Sequence, residues 1–462
     1  MSASDVARVT GGRIVQGDPA ATVGRVSIDS RAIGSGDLFV AIAGERHDGH
    51  RFVCDALRGG AMGVVVRRGV VAGVPGSPAL MIEVDDTTTA LQDLAREVRR
   101  RSGTTVVAIT GSAGKTTTKE IAAQLLSTRY TVFRNTGNFN NHIGLPLSLL
   151  ELGSRPQIAV VELGMNHPGE IRTLVGVAEP EVRVWTNVGD AHLGFFESAD
   201  AIADAKAELL ESARPGDVLV VNANDPRVMQ RARSFSGKVI TFGIDVDADV
   251  CATAVTHRGV EGMEADVTTA AGSGRLRTPL LGLGNLGNLL SAMAVGTHFD
   301  VPLDRMLQEA SRLAPARHRG ELLRLPGGVT LIDDSYNSSP AALKRALETV
   351  ASATGSARKV AVLGEMLELG GHAERLHREC GRAAAGAGLD LLVTIGGAPA
   401  RAMAEESVAA GMPERSVAHV PTNEEGAVAA LKKVRPGDLV LVKGSRGIGT
   451  DLVVERLKEE FA

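Results

Sequence analysis

The stretch from Val106 to Lys119, VVAITGSAGKTTTK, constrains the fold of this chain more than any other part of it. A short apolar run ends there at a Gly-rich turn, and a helix-like segment follows. In such a unit the backbone N–H groups of the turn converge on an anion, and the helix presents the positive end of its dipole. We therefore predict a phosphate-binding loop in which Lys115 adds a charge and Thr116 can hold Mg²⁺. The residues of the turn are Gly111, Ser112, Ala113 and Gly114.

The match to the usual G-x-x-x-x-G-K-[ST] signature is incomplete. Ile109 occupies the position of the first glycine, so the loop in this chain is G-x-x-G-K-T. The alternative is an ordinary strand-turn-helix whose lysine happens to be exposed.

Composition excludes several classes of function. A formal net charge of −4 provides no basic field for nucleic acid, and a chain of 462 residues is long enough for several domains. The three cysteines form no C-x-x-C pair, which is against a disulfide framework or a zinc site. There is no signal sequence at the N-terminus and no apolar run of about 18 residues. We expect a cytoplasmic protein that is not embedded in a membrane.

The pattern of apolar runs predicts an α/β fold in three segments. Residues 1–100 read as a small α/β domain, while 101–314 alternate strand and helix at the spacing of a largely parallel sheet. A β-rich insertion is expected at about 249–281. Residues 315–462 predict a second, doubly wound parallel sheet.

Ligands of parallel sheets lie beyond the carboxyl ends of the strands, and several polar residues fall there. Glu162 ends the apolar strand IAVVELG, and Mg²⁺ prefers hard oxygen ligands, so Glu162 is the best candidate magnesium ligand. The alternative is a glutamate that caps a neighbouring helix. His192 follows another strand and is a second candidate ligand or phosphate contact, although a lone loop histidine is more often structural.

Other polar residues are weaker candidates on pattern alone. Asn285 and Asn288 lie three apart and can face the same side of a helix start. Lys206 lies in a helical stretch among alanines and acidic residues, which is typical of a surface lysine. Residues after two later strands could face a domain cleft or neutralise an anionic substrate. These are Asp334, Tyr336 and Asn337 after the first strand, and Lys443, Ser445 and Arg446 after the second.

Eight segments together resemble the Mur ligases, in the same order and with matching gaps. They are TGSAGKTT, TGNFNNHIGLPLSLL, VVELGMNHPGEI, TNVGDAHLGFF, GNLGNLLSA, DDSYNSSP, LGEMLELG and VKGSRG. The resemblance runs from about residue 25 to the C-terminus. It implies a three-domain Mur ligase architecture: an N-terminal domain (1–100) that binds the UDP end of the substrate, a central parallel-sheet P-loop ATPase domain (101–314), and a C-terminal Rossmann-like domain (315–462) that closes over the active site.

The resemblance also implies roles for single residues. Glu162 and His192 would serve the magnesium sites, and Lys206 matches a lysine that family members carry as a carbamate, which would bind a second Mg²⁺. The nucleotide would contact Gly111 to Thr117, Asn285 and Asn288 near the adenine, Arg317 at a domain junction, and Asp334, Tyr336 and Asn337 near the ribose and phosphates. Asn138, Asn140 and Asn141 would lie near the reacting carboxylate, with Asn140 and Lys115 among the catalytic residues. Ser30, Arg31 and His47 would lie near the UDP moiety, and Lys443, Ser445 and Arg446 would contact substrate.

The implied reaction joins D-Ala-D-Ala to UDP-MurNAc-tripeptide with ATP and two Mg²⁺, through an acyl phosphate, as the last cytoplasmic step of peptidoglycan precursor synthesis. We expect a monomer that acts on small molecules. One alternative is the family member that adds the third-position diamino acid, but its Asp-Asn-Pro-Arg signature is absent. Folylpolyglutamate synthase shares the ATPase core, but the N-terminal segment argues against it. A nucleotide-binding protein without ligase chemistry is a further alternative.

Overall fold

The computed structural model describes residues 1–44, 47–70, 79–189, 194–353, 355 and 358–462. The α-helices in these ranges are α1 (Ala3–Thr10), α2 (Val53–Arg58), α3 (Thr87–Ser102), α4 (Lys115–Ser127), α5 (Gly144–Leu149), α6 (Glu170–Ala178), α7 (Ala199–Ala207), α8 (Pro226–Ala232), α9 (Gly282–His298), α10 (Leu303–Ala310), α11 (Pro340–Ser352), α12 (Ala373–Gly386), α13 (Ala398–Ala409), α14 (Asn423–Lys433) and α15 (Asp451–Glu460). Short 3₁₀ turns lie at Ser30–Ala32, Gly49–Phe52, Leu150–Ser154, Glu208–Leu210, Gly259–Glu261, Gly370–His372, Glu414–Ser416 and Arg446–Ile448.

The strands of the described ranges form three sheets. They are β1 (Arg13–Gly17), β2 (Val26–Ser27), β3 (Leu38–Val40), β4 (Gly63–Arg67), β5 (Leu80–Val84), β6 (Thr105–Thr110), β7 (Val132–Arg134), β8 (Ile158–Glu162), β9 (Val182–Trp185), β10 (Val218–Asn222), β11 (Lys238–Ile244), β12 (Val250–His257), β13 (Met263–Thr269), β14 (Gly272–Thr278), β15 (Glu321–Arg324), β16 (Thr330–Asp334), β17 (Arg358–Gly364), β18 (Leu391–Ile395), β19 (Val417–Val420) and β20 (Asp438–Lys443). The predicted α/β class is confirmed.

The first sheet has five strands in the order β1-β5-β4-β3-β2. Strands β2 to β5 pair in parallel, and β1 is antiparallel to β5. Buried side chains of α1 and α3 pack with those of the sheet in one apolar cluster. Helix α1 was not predicted, although Ser2 and Asp5 form a capping box at its start and Gly11 ends it in the left-handed conformation. These are recognisable helix signals.

The second sheet has nine strands in the order β14-β13-β12-β11-β10-β9-β6-β8-β7. Strands β9 to β12 pair in parallel with one another, as do β7 and β8. The β-rich insertion predicted at about 249–281 is confirmed, since β12, β13 and β14 form an antiparallel extension.

The third sheet has six strands in the order β15-β16-β20-β17-β18-β19, and only the pair β15–β16 is antiparallel. Valine and leucine side chains of its strands form a buried cluster with α14 and α15. Because β16, β20 and β17 are neighbours, their carboxyl ends meet at one edge. The loops that begin at Asp334, Lys443 and Glu365 therefore lie side by side.

Contacts divide the chain into two compact units. One comprises Met1–Ala108, Tyr130–Met165 and Gly169–Glu181, and the other comprises Ile109–Arg129, Asn166–Pro168 and Val182–Ala462. The domain boundaries expected near residues 100 and 314 stay predictions. In the described ranges, no helix combines the length and the apolar character needed to cross a membrane.

Candidate nucleotide and ligation site

The loop between β6 and α4 has two positions that only glycine can occupy. Gly111 has a φ of +150°, and a Cβ on it would overlap the Thr186 hydroxyl. Gly114 has a φ of +83° and caps α4, and a Cβ on it would overlap the Asn288 amide. A close backbone approach at both residues is the arrangement that a phosphate-binding loop requires.

Asn187, which follows β9, anchors the middle of the loop. The N–H of Ser112 donates to Asn187 O at 3.0 Å, and the N–H of Ala113 donates to Asn187 Oδ1 at 2.9 Å. Asn187 Nδ2 in turn donates to Ala113 O at 2.9 Å. The N–H groups of Ser112 and Ala113 thus donate to Asn187, and the positive end of the α4 dipole lies at Gly114. The contacts of this loop with phosphate stay a prediction.

Two basic side chains lie at this first turn. Lys115 Nζ donates to Gly111 O at 2.9 Å. Arg319 donates from its NH2 to Thr116 Oγ1 at 3.3 Å, and its guanidinium carbon lies 3.9 Å from the centre of the Tyr336 ring. The predicted nucleotide contact is Arg317, whose side chain is 75% exposed and lies 4.0 Å from the Glu455 carboxylate. This contact stays a prediction, and Arg319, two residues further on, was not among the predicted residues.

A buried carboxylate fixes the turn that carries Arg319. Asp333 is fully buried at the end of β16. Its Oδ2 contacts His318 Nδ1 at 2.7 Å, and its Oδ1 accepts from Ser335 Oγ at 2.6 Å. Tyr336 N donates to His318 O at 3.2 Å, which ties the strand end to the turn. Both stacking partners, Arg319 and Tyr336, are thus held by neighbours of Asp333.

The two predicted asparagines of α9 face the same side, as expected. Asn288 Nδ2 donates to Asn285 Oδ1 at 3.3 Å, and Asn285 Nδ2 donates to Leu281 O at 2.9 Å. The Asn288 amide also lies against Gly114. The first turn of α9 is therefore beside the loop that begins α4.

Lys443 differs from its expected environment. Its Nζ donates to Asp334 Oδ2 at 2.6 Å and to Asn337 O at 2.9 Å, and its side chain is buried. The charge expected to neutralise a substrate is thus balanced by Asp334 within the protein. The reason is the sheet order, since β16 and β20 are neighbours and place the two residues side by side.

The other two predicted residues after β20 lie in the loop that follows Lys443. Ser445 Oγ accepts from Leu367 N at 2.9 Å. The guanidinium carbon of Arg446 lies 5.5 Å from the centre of the Tyr336 ring.

A buried histidine orders the loop after β17. His377 Nε2 accepts from Met366 N at 2.9 Å, while its Nδ1 lies 2.7 Å from Ala373 O. A carbonyl oxygen only accepts, so the proton is on Nδ1. Burial lowers the pKa of His377 below its usual value of 6.5, which keeps Nε2 free to accept. Acid that protonated this ring would remove the hydrogen bond to the loop.

Glu162 belongs to the other unit and is 3% exposed at the end of β8. Its Oε1 accepts from Asn140 Nδ2 at 2.7 Å, and its N–H donates to Asn135 Oδ1 at 3.3 Å. Asn141 has a structural contact, because its Oδ1 accepts from the N–H groups of Ile143 and Gly144 at the start of α5. The Asn-rich loop thus orients the Glu162 carboxylate directly through Asn140.

Asn138 and Asn141 also line a cleft of about 1110 Å³ in the same unit. Arg25, Arg101 and Asp29 are among its other polar lining residues. Hydrogen bonds from Arg31 lower the pKa of the Asp29 carboxyl to about 2. Ser30 and Arg31 form the 3₁₀ turn next to Asp29, and His47 is an exposed residue that accepts a hydrogen bond at its carbonyl from Gly44.

The remaining metal candidates have separate outcomes. Lys206 on α7 is 2% exposed, so the prediction of a surface lysine from pattern alone is wrong. The local sequence does not indicate this burial, because it arises from contacts with other parts of the fold. His192 lies outside the described residues. Within the described ranges, no group of three or more His, Cys, Asp or Glu side chains is placed to hold a metal ion.

Comparison with known proteins gives one consistent family. Residues 22–99 match the model "Mur ligase family, catalytic domain", 109–296 match "Mur ligase middle domain", and 318–446 match "Mur ligase, glutamate ligase domain". The UDP-N-acetylmuramoyl-tripeptide–D-alanyl-D-alanine ligase of Bacillus subtilis (strain 168) is 35% identical over 440 residues, which are 94% of this chain and 93% of the relative.

Solved structures agree with this result. MurF from Acinetobacter baumannii has a TM-score of 0.90 at 30% identity, covering 99% of this chain and 98% of that one. MurF ligase from Thermotoga maritima in complex with ADP has a TM-score of 0.84 at 29% identity, covering 95% and 97%. The three-sheet architecture is therefore that of solved three-domain ligases.

Proposed function

The chain belongs to the Mur ligase family, and we propose on this premise that it joins D-alanyl-D-alanine to the tripeptide carboxylate of UDP-N-acetylmuramoyl-tripeptide with ATP. The observation that carries the proposal is the contact of Arg319 with Thr116, because it links the turn before β15 to the predicted phosphate-binding loop. Relatives that match over nearly the whole chain carry the name of this ligase.

The reaction has two steps. A carboxylate oxygen of the tripeptide attacks the γ-phosphorus of ATP, and ADP leaves, which gives an acyl phosphate. The amine of D-Ala-D-Ala then attacks the acyl carbon, phosphate leaves, and the nitrogen loses a proton. Positive groups are needed because a carboxylate and a triphosphate must approach each other. Lys115 and Arg319 at the first turn of α4 would supply two of them.

The nucleotide would lie on the loop from Gly111 to Thr117. Asn285 and Asn288 extend this surface along α9, where the adenine would bind. Tyr336 and Asn337 follow β16, and Tyr336 stacks with Arg319. Asp334, which forms an ion pair with Lys443, would lie near the ribose and phosphates. A structure of a similar ligase contains ADP, which supports the use of an adenine nucleotide.

Mg²⁺ is expected for this chemistry, and the predicted ligands have donor atoms of the kind that Mg²⁺ prefers. Thr116 offers a hydroxyl and Glu162 a carboxylate, both hard oxygen ligands. Lys206 fits once its neutral amine has added to CO₂, with loss of one proton, because the carbamate formed has two oxygens. His192 would complete the set. Bound Mg²⁺ would neutralise phosphate charge and polarise the transferred group.

The sugar nucleotide would bind in the unit that contains Glu162. The cleft lined by Asn138 and Asn141 has the volume for a large ligand, and Asn140 would position the reacting carboxylate through its contact with Glu162. Ser30, Arg31 and His47 would lie near the UDP end. We propose that the chain acts in the cytoplasm as a monomer on these small molecules, with domains at 1–100, 101–314 and 315–462.

One assay tests the function. Phosphate release is followed with ATP, Mg²⁺ and UDP-MurNAc-tripeptide, with and without D-Ala-D-Ala. Strong stimulation by the dipeptide, together with formation of the pentapeptide, is the expected result. Stimulation by a free diamino acid with the UDP-MurNAc-dipeptide instead would identify the ligase of the preceding step. ATP binding without acceptor-dependent turnover would identify a nucleotide-binding protein that is not a ligase.

A matched pair of variants tests the junction arginine. Arg319→Lys is expected to raise the KM for ATP about tenfold, because lysine keeps the charge but loses the planar group that stacks on Tyr336 and reaches Thr116. Arg317→Lys is the control and should leave the KM within twofold, since its side chain is exposed. An unchanged KM for ATP in Arg319→Lys would remove Arg319 from the nucleotide site.

A further inference from the structure

Two loops at the carboxyl edge of the third sheet join into one surface. The N–H of Leu367, in the loop after β17, donates to Ser445 Oγ at 2.9 Å, and Ser445 N donates to Glu365 O at 3.2 Å. Leu367 Cδ1 lies only 2.8 Å from where a Cβ on Gly447 would be, so its side chain packs closely against this glycine. Leu367 is therefore held against the loop that follows β20.

The surface combines an apolar side chain with a cation. Leu367 is 39% exposed, and Arg446, adjacent to Gly447, is exposed as well. In the part of the chain that the structure describes, no carboxylate is paired with Arg446, and its guanidinium group lies near the Tyr336 ring. Lys443, three residues earlier, is by contrast neutralised by Asp334. Arg446 is thus the basic group of this loop whose charge is available to a ligand.

The surface lies beside the nucleotide loop. The Tyr336 ring that Arg446 contacts also stacks with Arg319, which reaches Thr116. In addition, Glu368 O accepts from Gly194 N at 2.8 Å, which ties the loop after β17 to the segment after β9. An extended dipeptide spans about 7 Å. If the amine of a dipeptide lies at the acyl phosphate, its carboxylate would therefore extend towards Arg446, which contacts the same Tyr336 ring as Arg319.

We propose that Arg446 binds the terminal carboxylate of the acceptor dipeptide and that Leu367 contacts the methyl group of its last residue. The inference rests on the proposed function, which supplies an acceptor with a free carboxylate and small side chains. Arginine matches a carboxylate with two parallel hydrogen bonds, and stacking on Tyr336 fixes the plane of its guanidinium group. This surface would set the preference of the enzyme for a dipeptide acid.

The test compares D-Ala-D-Ala with its C-terminal amide, at saturating ATP and UDP-MurNAc-tripeptide. The wild-type enzyme is expected to have a kcat/KM about 10 to 100 times higher for the acid, the usual range for one charge-assisted contact. Arg446→Gln should lower kcat/KM for the acid to the level of the amide and leave the KM for ATP unchanged. Leu367→Ala should reduce the preference for D-Ala-D-Ala over D-Ala-Gly about fourfold, the effect of one buried methyl group.

Arg415→Gln is the control, because Arg415 is an exposed arginine of the same sheet, on the 3₁₀ turn before β19. It should change none of these parameters, and the melting temperatures of all variants should agree. Retention of the acid preference in Arg446→Gln, or a higher KM for ATP alone, would overturn the inference and assign Arg446 elsewhere. Equal use of acid and amide by the wild type would overturn it while leaving the proposed function standing. If D-Ala-D-Ala gives no turnover at all, both fall.

Discussion

Replacement of Lys206 by methionine is expected to lower the rate of ligation about 10³-fold while the protein still folds. The proposed carbamate supplies two oxygens for Mg²⁺, and loss of a metal contact at a phosphoryl-transfer site removes several kcal/mol of transition-state stabilisation. Methionine has a similar length and volume, so it fills the buried position of Lys206 on α7 without a large cavity. The kcat is measured in the coupled assay, and folding by the melting temperature.

Lys206→Arg separates the carbamate from the cation. Arginine keeps a positive charge but forms no carbamate under these conditions, so it should be as inactive as the methionine variant. Labelled CO₂ provides an independent readout, since a carbamate carbon should be detected by NMR in the wild type and be missing from both variants. Near-normal turnover of Lys206→Arg, or an unchanged NMR spectrum in Lys206→Met, would reject the modification.

The second large effect is expected for Glu162→Gln, which should raise the Mg²⁺ concentration for half-maximal turnover about 10²-fold. Glutamine keeps the oxygen that accepts from Asn140 Nδ2, so the geometry at the end of β8 is preserved and only the charge is lost. A neutral amide oxygen is a much weaker ligand for a hard divalent cation than a carboxylate. Phosphate release is measured as a function of Mg²⁺ concentration. Calorimetry with ADP then measures Mg²⁺ binding without turnover.

Glu83→Gln is the matched control for this change. Glu83 also lies on a strand, β5, and is largely covered, but its contact is a surface ion pair with Arg13 at 3.2 Å. Its removal should leave the Mg²⁺ dependence unchanged. If Glu162→Gln gave the same curve as Glu83→Gln, the carboxylate of Glu162 would have no part in metal binding.

Much of the fold was predictable because its signals are local. The alternation of apolar runs and helical segments predicted a parallel-rich α/β fold, and the spacing of Asn285 and Asn288 predicted that both face one side of a helix. The glycines of the phosphate loop were recognisable because their conformations are set within a few residues. The start of α1 carried a similar local signal in Ser2 and Asp5, and it was missed because the apolar pattern there is short.

What local pattern did not show are contacts between residues far apart in the chain. The alanines and acidic residues around Lys206 are typical of a surface lysine, but the fold buries its side chain. Arg319 had no local signal, because only the fold shows which side chain the turn near Asp333 directs towards Thr116, and the nucleotide contact of Arg317 stays a prediction. Lys443 was expected to be available to substrate, whereas Asp334, more than a hundred residues earlier, neutralises it.

The sequence by itself determined the α/β class, the Gly-rich turn between β6 and α4 and the resemblance to a family, because each depends on residues close together or on an ordered set of motifs. Only the tertiary structure decided which cations at the site are balanced. Electrostatic pairing depends on the distance in space, and that distance is set by sheet order: β16 beside β20 places Asp334 against Lys443. Arg446, in the loop that follows β20, has no paired carboxylate among the described residues and contacts the Tyr336 ring.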